Sequence, residues 1–170
     1  TLVREICSRH SLKAEQRAML LDCSRQFGSI ALVPPSGDVT RCRHPSMHHD
    51  GTPIQLSASL LATGSGGVRV AIEPGDLAEP VSMQIAASLR LLSDVLSRLS
   101  WGNCMATISA CVNAILPPDP AEMDAWWGGI WLGVIAHPRY TGIRIYFNLR
   151  SGAATNRWRR IGKVFKMLSG

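Results

Sequence analysis

The chain has 170 residues, enough for one buried core and short of two full domains, so we read 1–170 as a single domain. Hydrophobic residues make up 46% and charged residues 18%, with a mean hydropathy of +0.09, which excludes an intrinsically disordered chain. The least polar stretch, 121–136, is too interrupted by Glu122, Asp124 and Gly128-Gly129 for a transmembrane helix, and the net charge of +6 favours an anionic partner.

Residues 11–27 suit an opening helix, with Ser11 as cap, Leu20, Cys23 and Phe27 on an apolar side, and Gly28 as the stop. From Val33 to Gly51, Pro34-Pro35, Ser36-Gly37 and Asp50-Gly51 mark a long loop. Within it Cys42, His44, His48 and His49 offer metal-ligand types, but no second cysteine pair supports a site, and we expect a solvated loop and no bound metal. Strict alternation then marks two strands, 54–61 and 68–73, joined by Thr63-Gly64-Ser65-Gly66-Gly67 as a flexible hairpin loop. Ile85, Leu89, Leu92, Leu96 and Leu99 recur at steps of three and four and predict an amphipathic helix over 82–99.

A second helix over 104–116 ends at Pro117-Pro118, and Asp119-Pro120-Ala121-Glu122 has the signature of a third, running to about Trp127. Segments 130–136 and 142–149 form a second hairpin around His137-Pro138-Arg139-Tyr140, where His137 has no acidic partner and reads as a turn residue. Trp126, Trp127 and Trp131 read as core. The stretch 156–168 predicts a basic helix with Trp158, Ile161, Phe165 and Leu168 on its apolar side. Five cysteines, Cys7, Cys23, Cys42, Cys104 and Cys111, contain no C-x-x-C pair and nothing at the start resembles a secretory signal, so reduced thiols and a cytoplasmic location are expected.

The fold class that follows is α+β: antiparallel β-hairpins with flanking helices, in two successive units of similar build. Each strand pair has one apolar face for the helices and one polar face, which gathers Gln55, Ser57, Arg69, Glu73, Arg144, Tyr146 and Asn148. With the hairpins side by side, Arg69 and Arg144 are expected to face each other across adjacent strands and to receive an anionic group.

The block Asp50-Gly51-Thr52-Pro53-Ile54-Gln55-Leu56-Ser57, followed by Val68-Arg69-Val70-Ala71-Ile72-Glu73-Pro74, resembles the first hairpin of aromatic prenyltransferases of the dimethylallyltryptophan synthase type. Ile143-Arg144-Ile145-Tyr146 resembles that family's cation-x-Tyr strand. The resemblance implies part of an ABBA-type prenyltransferase barrel, a closed antiparallel barrel ringed by helices. In its lumen an isoprenyl diphosphate ionises and an aromatic acceptor attacks the allyl cation. By position, Arg69 and Arg144 would hold the diphosphate and Tyr146 would shield the cation with its π face. Isoprenyl diphosphate would be a co-substrate and no further cofactor is implied. The activity would be an aromatic prenylation of secondary metabolism on a small molecule or peptide.

Two departures bear on this. Gln55 stands where the family has a glutamate that orients indole; an amide accepts a hydrogen bond but carries no charge and cannot act as a general base, which argues against indole specificity. The family barrel has roughly ten strands, and four cannot close it, so an incomplete barrel, a homo-oligomer or a second chain completing the sheet is expected. The chain opens on Thr1 rather than Met, as a piece of a longer protein would. A noncatalytic module binding a peptide or anion on the same polar sheet, and a basic nucleic-acid-binding domain, are the alternatives.

Overall fold

The two hairpins lie side by side in one antiparallel sheet of order β1-β2-β3-β4, with β1 at Ile54–Leu61, β2 at Gly64–Ile72, β3 at Ile130–His137 and β4 at Tyr140–Phe147. The structure, a computed structural model, describes residues 2–10, 12–31, 54–61, 64–75, 79–117, 119–124, 129–147 and 154–169. The register places Ser57 opposite Arg69, Arg69 opposite Ile135 and Ile135 opposite Gly142. One layer along, Ala71, Gly133 and Arg144 are in line, and Trp131 pairs with Tyr146. Because successive side chains alternate faces, every one of these residues shares the polar face, while Val68, Val70, Ile72, Leu132 and Val134 fall on the other.

That second face is the core. Helix α2 (Ala14–Ala31) crosses it against β2 and β3, helix α1 (Leu2–Arg9) packs beside α2, and α3 (Val81–Arg98) lies against β3. Leu20 and Phe27 of α2 are fully buried, as are Val68, Ile72 and Val81. On α3 the buried positions are Val81, Gln84, Ile85, Ser88, Leu91, Leu92, Val95 and Leu96, with Leu89 and Leu99 half-buried against the same cluster. A 3₁₀ turn at Gly102–Cys104 leads into α4 (Met105–Ile115), and α5 (Pro120–Asp124) starts where Asp119 Oδ1 accepts the N–H of Ala121 at 2.9 Å, a side-chain N-cap. The last helix, α6 (Ala154–Ser169), packs on α4 and ties Arg160 to Glu122 at 3.0 Å.

Several expectations change. The helix expected over 11–27 is α2, and a further helix, α1, precedes it: α2 begins at Ala14, where Gln16 Oε1 accepts the N–H of Lys13 at 3.0 Å as the returning half of a capping box, and it runs through Gly28 to Ala31. Ser11 lies outside the described residues. The expected glycine loop is mostly strand, because Gly64 to Gly67 belong to β2. A register shift between Ala58 and Leu60 brings the backbone of Ser59 to where any side chain on Gly66 would stand. Helix α6 turns Ile161 and Val164 inward, but Trp158, Phe165 and Leu168 of its expected packing side are 72%, 67% and 63% exposed. Trp126, Trp127 and the 33–51 loop with its histidines lie outside the described residues.

None of Cys7, Cys23, Cys104 and Cys111 forms a disulfide. Burial pushes the Cys23 thiol up from 9.0 to about 11, with neighbouring Asp22 adding to the shift and Arg98 opposing it. The folded state therefore holds a proton that the unfolded chain releases above pH 9. Its stabilising effect is intact below that pH and is lost as pH rises toward 11. Unfolding free energies measured from pH 8 to 10.5 should fall by roughly 2 kcal/mol more for the unsubstituted protein than for Cys23→Ala. Parallel curves would remove Cys23 as the cause.

Candidate functional site

Arg69 organises the polar face. It stands at mid-strand in β2, half-buried, and its guanidinium spreads over three strands: Nε donates to Ser57 Oγ at 3.1 Å, Nη2 to Gln55 Oε1 at 2.9 Å and Nη1 to Tyr146 Oη at 2.8 Å. Its central carbon is 5.8 Å from the centroid of the Tyr146 ring, within cation–π range. All three partners are neutral, and Arg69 has no carboxylate partner among the described residues. A half-buried cation bound only by dipoles keeps its full charge for a ligand.

Tyr146 reaches Arg69 from β4 across the intervening strand, and the residue that permits it is Gly133. A β-carbon there would lie 3.3 Å from Tyr146 Cε2 and 3.8 Å from Arg144 Cβ, so the tyrosine ring occupies the space a side chain on β3 would fill. Arg69 and Arg144 accordingly share a face but not adjacent strands: β3 separates them, which corrects the expected pairing. Arg144 is exposed and has no side-chain partner among the described residues.

Between the two arginines lies a cleft of about 420 Å³, lined by Arg69, Ser57, Ser59, Gly67, Ile135 and Arg144, with His137 and Tyr140 at its outer end. Its size is that of a small-molecule pocket. No carboxylate lines it among the described residues. Glu73, grouped with the polar face in the sequence, is buried, and its Oε1 accepts the N–H of Gly129 at 2.9 Å; Asn148 lies outside the described residues.

Sequence reasoning brought Gln55, Ser57, Arg69, Arg144 and Tyr146 to one surface, but it missed Gly133, Ile135, His137 and Tyr140. The signal was available: period two counted from Trp131 along β3 selects Gly133, Ile135 and His137. It was masked because β3 is buried on both faces from Ile130 to Ala136, so its letters show no polar alternation. Trp131 is buried as expected, but on the polar face opposite Tyr146 rather than in the helix-covered core. Among the described residues no group of three His, Cys, Asp or Glu is placed to hold a metal ion. No described helix is long and apolar enough to cross a membrane.

No protein-family model and no curated protein sequence matches the chain. Solved structures do. The apo form of the prenyltransferase PriB superposes with a TM-score of 0.71 at 17% identity, over 98% of this chain and 46% of that one. PriB in a ternary complex with L-tryptophan and dimethylallyl thiolodiphosphate gives 0.69, at 17% identity over 98% and 45%. A 6-dimethylallyl tryptophan synthase gives 0.65 at 13% identity, over 96% and 44%. The described residues thus share the fold of the corresponding part of these prenyltransferase structures, and the chain spans a little under half the length of these neighbours.

Proposed function

We propose that this chain provides the diphosphate-binding part of an aromatic prenyltransferase, which transfers an isoprenyl group from its diphosphate to an aromatic acceptor. The observation that carries the reading is the guanidinium of Arg69, half-buried beside an acid-free cleft and held only by Gln55, Ser57 and Tyr146. Arg69 and Arg144 bind the diphosphate and stabilise the charge that grows on it as the carbon–oxygen bond to the prenyl group breaks. Tyr146, fixed by Arg69, turns its ring toward the allyl cation that this step leaves. The acceptor carbon then attacks that cation and loses its proton to solvent or base, restoring aromaticity. The structural neighbours, one of which binds product diphosphate and one L-tryptophan, support this reading over a peptide module or a nucleic-acid domain.

Gln55 has a second role in this account. Its oxygen already accepts from Arg69 at 2.9 Å, and its free lone pair can take an N–H or O–H of the acceptor. A carboxylate at that distance would pair with Arg69 and compete with the diphosphate. Gln55→Glu is therefore expected to weaken pyrophosphate binding roughly tenfold at low salt, with the deficit shrinking as salt rises. Unchanged affinity would show that Arg69 is not the anion ligand. The direct assay incubates the protein with dimethylallyl and geranyl diphosphates and indole, phenol and peptide acceptors, and looks for prenylated product together with released pyrophosphate. Donor binding without product on any acceptor would favour the noncatalytic binding reading.

A further inference from the structure

The two arginines line the cleft, with Tyr146 behind Arg69, and one end of the cleft is closed by the β3–β4 turn. There His137 and Tyr140, a cross-strand pair, stack with ring centroids 4.8 Å apart and planes inclined by 22°. The turn is fastened from the opposite side of the sheet. Gln16 of α2 donates through Nε2 to the carbonyl of His137 at 2.7 Å and to that of Tyr140 at 3.4 Å. His137 is thus held by its backbone and by its ring.

The ring's hydrogen bonding fixes where its proton sits. Nδ1 of His137 accepts the backbone N–H of Arg139 at 3.2 Å. Only a nitrogen without hydrogen can accept, so the hydrogen of the imidazole is on Nε2. Nε2–H has no partner among the described residues, and the side chain lines the cleft with Arg69 and Arg144. Between these groups the cleft floor is Gly67 and Ile135, and Gly142 beside Ile135 adds no side chain to obstruct it.

We infer that His137 is a third ligand of the bound anion, donating from Nε2–H to the phosphate group farther from Tyr146. The sheet register separates the two ends: Tyr146 pairs with Trp131 at one end of the β3–β4 ladder, and His137 pairs with Tyr140 at the other. Arg69 pairs with Ile135, two residues and so about 7 Å along β3 from His137; an anion that engages both reaches farther than one phosphate group, so His137 selects a diphosphate over a single phosphate. The inference rests on the proposed diphosphate site and adds to it a residue that sets selectivity.

The test titrates pyrophosphate and orthophosphate separately into the protein by calorimetry, with His137→Ala and His137→Gln. His137→Ala should weaken pyrophosphate roughly tenfold and leave orthophosphate within about twofold, while His137→Gln, which keeps a neutral N–H donor, should stay within about threefold of the unsubstituted protein for both. In the unsubstituted protein, pyrophosphate should also move the Nε2 nitrogen resonance of His137, a reading that does not depend on how a variant folds. Equal pyrophosphate affinity in His137→Ala with an unmoved Nε2 signal overturns the role of His137 and leaves the arginine site standing. Failure of the unsubstituted protein to bind pyrophosphate at all overturns both.

Discussion

Arg69→Ala should cost roughly 100-fold in pyrophosphate affinity, about 2.7 kcal/mol, the largest functional effect of any single truncation on the polar face. The substitution removes the half-buried charge and at the same time strands Gln55 Oε1 and Tyr146 Oη, which lose their 2.9 and 2.8 Å donors and the geometry those donors impose. Both groups are half-buried and can find water, so the fold itself should lose only about 1 kcal/mol. Arg144→Ala removes an exposed charge and should cost less, with a steeper dependence on salt. Calorimetric titration at two salt concentrations separates the two. Equal, small losses from both variants would mean that the hydrogen-bonded cluster around Arg69 does not shape the anion site.

Phe27→Ala should lower stability by about 3–5 kcal/mol, a large share of what a domain of this size possesses. Phe27 is fully buried on α2, in the layer that clamps the helix to β2 and β3, and the same helix carries Gln16, the anchor of the β3–β4 turn. Loss of that clamp therefore reaches the cleft. Trp158→Ala, by contrast, trims a side chain that is 72% exposed on α6 and should change stability by less than about 0.5 kcal/mol. Denaturant midpoints for the pair decide the matter; similar losses would place Trp158 in a packed interface and reassign the outer face of α6.

The hairpins are legible in the sequence because alternation is enforced by physics: a strand with one wet face must write polar and apolar residues in turn, as Gln55 to Ser59 and Arg144 to Tyr146 do. The same rule explains the blind spot at β3, where both faces are buried and the letters Ile130 to Ala136 carry no phase. Helix α3 is legible from its apolar spacing, and α5 from the Asp119 cap. Helix α6 shows the limit of amphipathicity as evidence: spacing identifies an apolar stripe correctly but does not say what covers it, and α6, which packs on α4, turns Val164 to the core and ties Arg160 to Glu122 of α5 while Trp158 and Phe165 stay exposed. The candidate site is half legible for a related reason. Residue types identify Arg69, Arg144 and Tyr146, but the strand order decides that β3 comes between the arginines. Gly133 and His137 then acquire meaning only from what crosses over or stands beside them.

In the proposed function this polar face binds the diphosphate of an isoprenyl donor through Arg69, Arg144 and Tyr146. The most direct measurement is calorimetric titration of the folded protein with dimethylallyl thiolodiphosphate, whose sulfur bridge resists ionisation, followed by displacement with pyrophosphate. Saturable binding is expected that pyrophosphate competes away, that weakens as salt is raised and that Arg69→Ala reduces roughly 100-fold. Absence of binding at millimolar analogue, or binding that neither pyrophosphate nor Arg69→Ala disturbs, would contradict it.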